Sequence, residues 1–219
     1  MIHSSVSGVF FVGNENGESI MLETIVLVRH GESTLNYINK QNIGRIFIGQ
    51  ADTPLTYQGV QQAIACTSYF DHQSFDAYYS SCLSRARDTA KYATANRVPI
   101  IQDERINERS LGKFEGGLLA DLRLQYPDFD FNQPFNLDEQ LKAIDGENLC
   151  DVYKRVQNFW TEILSSYNRV AVFSHSIWIK MTLAFLLKQP ISEAKRLSIS
   201  NGQILELKYI DGHWQYKRS

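Results

Sequence analysis

Two histidines, His30 and His175, each stand directly after a short run of aliphatic and aromatic residues, Ile25-Val26-Leu27-Val28 and Val170-Ala171-Val172-Phe173. An imidazole can serve as nucleophile, general base or charged donor near neutral pH. Each run reads as a strand buried on both faces of a parallel sheet. In open α/β sheets ligands bind beyond the carboxyl ends of the strands, so two histidines far apart in the chain can converge there. One such histidine alone is more often a core residue satisfied by backbone. Two on equivalent strand ends shift the balance toward a site.

The neighbours extend the set. Arg29 precedes His30, Gly31 lets the backbone approach a ligand closely, and residues 33–36 open a helix whose free N–H groups favour an anion. Arg85 follows a third apolar segment in Ser81-Cys82-Leu83-Ser84-Arg85-Ala86-Arg87, where Arg87 reads as solvated helix charge. Two guanidinium forks, two imidazoles and a helix N-terminus aimed at one crevice suit a phosphoryl group, whose oxygens accept bidentate hydrogen bonds.

The elements that would position these groups alternate. After the strand at 25–28 come a helix over 57–70, a strand over 76–79, a helix over 84–94 and a strand over 98–101. A short helix over 118–125 ends before Pro127, and a helix over 149–167 precedes the strand at 170–173. A helix over 177–187 and strands over 197–200 and 203–210 follow. This order predicts an α/β fold, a three-layer α/β/α sandwich around a mostly parallel sheet. Residues 1–20 read as an extension, hairpin or flexible, before a domain over 21–219 that carries a lid insertion at about 116–146. Tyr126, Phe129, Phe131 and Phe135 are candidates to touch the organic part of a ligand, with packing of the lid itself as the alternative.

Composition narrows the partners. The 219 residues hold 22 Lys and Arg against 24 Asp and Glu, a net charge of −2. That leaves no basic surplus for a nucleic acid, so no nucleic-acid partner is expected. No stretch near the start is long and apolar enough for a membrane span, and residues 1–20 lack the Lys or Arg of a secretory n-region. Cys66, Cys82 and Cys150 are odd in number and widely spaced, which fits a reduced, cytoplasmic protein.

In register with one another, several blocks resemble the histidine phosphatase superfamily, the phosphoglycerate mutase-like fold. Val26-Leu27-Val28-Arg29-His30-Gly31-Glu32-Ser33 with Asn36 is similar to the family's opening signature. Asp52-Thr53-Pro54-Leu55-Thr56, Ser81-x-Leu83-x-Arg85-Ala86 with Thr89, Asn107-Glu108-Arg109, Phe114-Glu115-Gly116, Gly146-Glu147 and Val172-Phe173-Ser174-His175 follow in the family's order. The resemblance implies His30 as nucleophile through a phosphohistidine. It also implies Arg29, Arg85 and His175 as charge-neutralising ligands of the phosphoryl oxygens, Asn36 as a further ligand, and Glu108 as general acid and then base. At residue 176 the family usually has Gly; Ser176 still offers the backbone N–H needed there. Ile48-Gly49 replaces a polar residue before glycine, removing one phosphate contact, and the loop over 37–47 looks a few residues long.

Other classes fit less well. His30-Gly31-Glu32 lacks the later PCxxC of zinc deaminases, and neither HExxH nor a P-loop is present. No metal or cofactor is expected. A binding or scaffold domain without turnover would have no use for Glu108. A cofactor-dependent phosphoglycerate mutase is the nearer alternative, favoured by Arg109 but opposed by the acidic, aromatic stretch at 128–139 where a basic lid is needed. The expected activity is a phosphomonoesterase acting on a small phosphorylated metabolite, as a monomer or homodimer.

Overall fold

The computed structural model describes residues 22–41, 44–131, 141 and 144–218. The readings for residues 1–20 and for lid residues 132–140 and 142–143, Phe135 included, lie outside the described residues. Among the described residues one sheet contains β1 (Thr24–Arg29), β2 (Ala77–Ser80), β3 (Ile101–Gln102), β4 (Arg169–Ser174), β5 (Ile204–Ile210) and β6 (His213–Arg218), in the spatial order β3-β2-β4-β1-β5-β6. The first four are mutually parallel, while β5 runs antiparallel to β1 and β6 antiparallel to β5.

The continuous apolar runs do what a doubly covered strand requires. Successive side chains of a strand point to opposite faces. On one face Ile25, Leu27, Val170 and Val172 pack with α6 (Leu149–Ile163) and α7 (Ser176–Leu186) through Val156, Phe159, Trp160, Trp178 and Met181. On the other, Val26, Val28, Ala171 and Phe173 meet Phe70 of α3 (Thr67–Asp71) and Ala90 and Ala93 of α4 (Ser84–Ala93). Burial of an aliphatic side chain contributes about 1.5–3 kcal/mol, so these two layers fix the sheet. The three-layer sandwich expected from the sequence is the observed architecture.

Three element boundaries differ from expectation. The helix over 57–70 is two helices, α2 (Tyr57–Ala65) and α3, because the chain tightens at Cys66, whose N–H bonds Ala63 O at 3.1 Å. The turn swings Phe70 into the core. Residues 197–200 form a loop: alternating apolar residues bury Ile199, but its carbonyl accepts from Arg29 Nη1 at 2.5 Å, with no strand beside it. The expected strand over 98–101 shrinks to Ile101–Gln102, and β6 follows a tight turn at Asp211 and Gly212, both at positive φ. Beyond the sheet, α1 (Thr34–Lys40) begins at the N-cap Ser33, and α5 (Leu119–Gln125) falls within residues 116–146. A last short helix, α8, spans Ile191–Ala194.

Aromatics from residues 116–146 join a cluster of their own with Phe47 and Phe114. Phe114 contacts Phe129 at 4.7 Å, Tyr126 at 5.0 Å and Phe131 at 5.2 Å between ring centroids, beside Phe47 and Leu122. These contacts are those of the packing alternative. No helix among the described residues is long and apolar enough to cross a membrane. The three cysteines are free thiols.

Candidate active site

Strand register explains why the histidines meet. Arg29 pairs with Ser174 across β1 and β4, and adjacent strands lie about 4.8 Å apart. The next residues are therefore His30 and His175, whose rings lie 4.9 Å apart between centroids. Both are buried. His30 Nδ1–H donates to Gly31 O at 2.7 Å, leaving the Nε2 lone pair for chemistry. Its pKa is held well below the ordinary imidazole value, first by burial and then by the Arg85 and Arg29 guanidiniums, so the ring stays neutral. His175 is lowered in the same way by burial, Arg85, His30, Arg29 and Arg155.

The remaining parallel strands deliver the other groups. β2 ends at Ser80, and Arg85 follows on the first turn of α4 with 1% of its surface exposed. Its Nη1 and Nη2 donate to Ala51 O at 2.9 Å and Gly49 O at 2.8 Å. β3 leads into the turn Glu104–Ile106 and then to Asn107 and Glu108. The Glu108 carboxylate accepts from its neighbour Arg109 N–H at 3.0 Å, and from Ile177 N–H at 3.4 Å at the start of α7. Burial pulls Arg29 and Arg85 down and Glu108 opposes it, yet a guanidinium starts high enough to stay charged.

Buried side-chain nitrogens without a hydrogen-bond partner are, among the described residues, Arg29 Nε, Arg85 Nε and His175 Nδ1. Each costs about 1–3 kcal/mol if left unpaired. All three belong to the group gathered around His30, an arrangement that can hold one tetrahedral oxyanion. Asn36 is the third helical residue of α1, and its Oδ1 accepts from Ser33 N–H at 3.2 Å and from Asn201 Nδ2 at 3.4 Å, which turns its amide nitrogen outward as a donor. Ser176 opens α7 directly after the N-cap His175; the first N–H groups of a helix have no intrahelical acceptor.

Gly31 has a different task from the one expected. Its N–H donates to Thr89 Oγ1 at 3.0 Å, and a Cβ there would sit 2.3 Å from Gly59 O. The glycine therefore lets β1 press against α2; it does not offer its own amide to a ligand. The loop bearing Ile48 supplies the Gly49 and Ala51 carbonyls that orient Arg85, and its Gln50 Nε2 donates to Glu108 O at 2.8 Å. Arg87 lies half-exposed against Asp88 at 3.4 Å, the solvated charge expected.

Several structural contributors escaped the sequence reading. Arg155 of α6 donates from Nη1 to Arg105 O and Asn107 O at 2.8 and 2.6 Å and from Nη2 to Glu108 O at 3.0 Å. It also pairs with Glu147 at 2.7 Å. Ser81 Oγ lies 2.8 Å from His175 Nε2. Asn201 donates to His30 O at 3.0 Å. Ser81 lies inside a motif block, but an uncharged serine there carries no signal of its own; the Glu147 block is the one signal for the Arg155 clamp.

Comparison with known proteins identifies the family. The chain is 29% identical over 172 residues to phosphoserine phosphatase 1 of Hydrogenobacter thermophilus, covering 77% of this chain and 78% of that one. It is also 29% identical over 196 residues to a 2,3-bisphosphoglycerate-dependent phosphoglycerate mutase of Staphylococcus epidermidis, covering 74% and 83%. Among solved structures, the α-ribazole phosphatase of Shigella flexneri superposes with a TM-score of 0.77 at 24% identity, over 89% of this chain and 95% of that one, which speaks to the fold. YhfR of Bacillus stearothermophilus gives 0.74 at 26% identity, over 88% and 94%. Residues 25–219 match the family described as histidine phosphatase superfamily (branch 1), and the chain is an enzyme belonging to that superfamily.

Proposed function

We propose that this protein is a metal-independent phosphomonoesterase acting on a small phosphorylated metabolite through a phosphohistidine. His30 Nε2 attacks phosphorus as the ester P–O bond breaks, and Glu108 gives a proton to the departing oxygen. The Glu108 carboxylate then takes a proton from water, whose oxygen attacks the phosphohistidine, releasing inorganic phosphate and restoring neutral His30. Arg29, Arg85 and His175 neutralise the transferring oxygens, the dominant contribution in phosphoryl transfer. Asn36 Nδ2 and the Ser176 N–H add donors.

The observation that carries this reading is the set of buried, unpaired nitrogens on Arg29, Arg85 and His175, grouped with a histidine whose Nε2 is the free nitrogen. Relatives named for phosphoserine and α-ribazole phosphatase activity support a small monoester as substrate. Hydrolysis of an aryl phosphate in chelator-containing buffer tests it. His30→Ala should lower the rate by about a thousandfold or more; equal rates for the two proteins would overturn the reading. The Staphylococcus epidermidis relative keeps mutase as a second reading. Net interconversion of phosphoglycerates primed by a bisphosphoglycerate, at a rate above hydrolysis, would favour it.

A further inference from the structure

The donors and acceptors around His175 leave one consistent arrangement. Cys82 N–H lies 3.0 Å from Asn107 Oδ1, so that atom is the amide oxygen and an acceptor. Ser81 Oγ lies 2.8 Å from the same oxygen and donates to it. The hydroxyl has one proton and two lone pairs. One lone pair accepts Leu83 N–H at 3.1 Å. What remains for His175 Nε2, 2.8 Å away, is the other lone pair, so Nε2 must carry the hydrogen. Ser81 and His175 are both wholly buried, which removes water as a competing partner at this contact.

We propose that Ser81, its proton directed away by Asn107, is a positioning residue that locks His175 in the Nε2–H tautomer and so presents Nδ1 to the phosphoryl group. The two site histidines are thereby held in opposite tautomers. His30 keeps its hydrogen on Nδ1, against the Gly31 carbonyl, and reacts through Nε2. His175 keeps its hydrogen on Nε2, and its Nδ1 is the buried, unpaired nitrogen. Held this way, His175 offers a lone pair at Nδ1 when neutral and an N–H when protonated. It can meet a protonated or an unprotonated phosphoryl oxygen without turning its ring. The groups facing it are Arg29 and His30 from the end of β1, Arg85 from α4 and Arg155 from α6, all of which disfavour its protonation before an anion arrives.

This inference rests on reading the crevice as a phosphoryl site, but its test needs no turnover. Long-range proton–nitrogen NMR on the ring-labelled, phosphate-free protein distinguishes the tautomers directly, with His175→Gln assigning the signals. The wild type should show Nε2–H for His175 and Nδ1–H for His30. Asn107→Ala frees the Ser81 proton to turn toward the ring, and Ser81→Ala removes the acceptor; each should shift His175 toward Nδ1–H. An Nδ1–H tautomer in the wild type, or an unchanged tautomer in both variants, would overturn the proposal. The wild-type spectrum decides the tautomer even if a variant fails to fold. A protein that shows Nε2–H but hydrolyses no phosphate ester would sink the phosphatase reading alone.

Discussion

At the residue scale, the site depends on which nitrogen carries a proton and which oxygen can supply one. The proposed attack by His30 needs a lone pair on Nε2, and the Gly31 carbonyl with the adjacent guanidiniums keeps it there. In the proposed reaction Glu108 protonates the leaving oxygen. Glu108→Gln should therefore slow hydrolysis of alkyl phosphates by about a hundredfold or more, slow good aryl leaving groups much less, and leave inorganic phosphate binding nearly unchanged. Steady-state rates across a leaving-group series check this; equal losses across the series would remove Glu108 from the acid role. His30, His175, Arg29 and Arg85 were legible because strand ends and charge point to them. Ser81 was not, because an uncharged serine declares its role only once the residue across the sheet is known.

Elements decide how firmly the acid is held. Glu108 lies on a loop after a two-residue strand, and such loops are mobile unless tied down. Arg155 ties it to α6 by three carbonyls and the Glu147 carboxylate. Arg155→Met removes these bonds, although Gln50 Nε2 still reaches Glu108 O and Trp178 Nε1 still reaches Arg105 O, and should cost about 1–3 kcal/mol of stability. The rate loss should be greater for poor leaving groups, as for Glu108→Gln. Calorimetry with the same leaving-group series checks both parts. The strands β1 and β4 could be read from sequence because both their faces are apolar. Residues 197–200 imitated a strand by alternation alone, and β6 was missed although Asp211-Gly212 is a strong hairpin signal. It does alternate, with Trp214 and Tyr216 half-buried against the core between exposed His213, Gln215 and Lys217, but two apolar positions are too short a pattern to mark a strand.

For the whole molecule, a net charge of −2 conceals a local concentration of positive charge that the fold must tolerate. His30 and His175 both protonate at lower pH in the fold than in the unfolded chain. Below about pH 6.5 the unfolded state therefore binds more protons, and stability falls with pH by about 1.4 kcal/mol per histidine per pH unit until the folded pKa is reached. Thermal unfolding from pH 7.5 downward should show this slope, and His30→Asn with His175→Asn should flatten it; identical slopes would count against buried neutral imidazoles. Both the sheet order and the convergence of four strand ends follow from register, so catalysis and folding draw on the same contacts. The most direct measurement is to quench the protein during turnover of a labelled phosphate ester and map the label. An acid-labile, alkali-stable phosphoryl group on the peptide carrying His30 is expected, and a phosphoryl group on any other residue would contradict the mechanism.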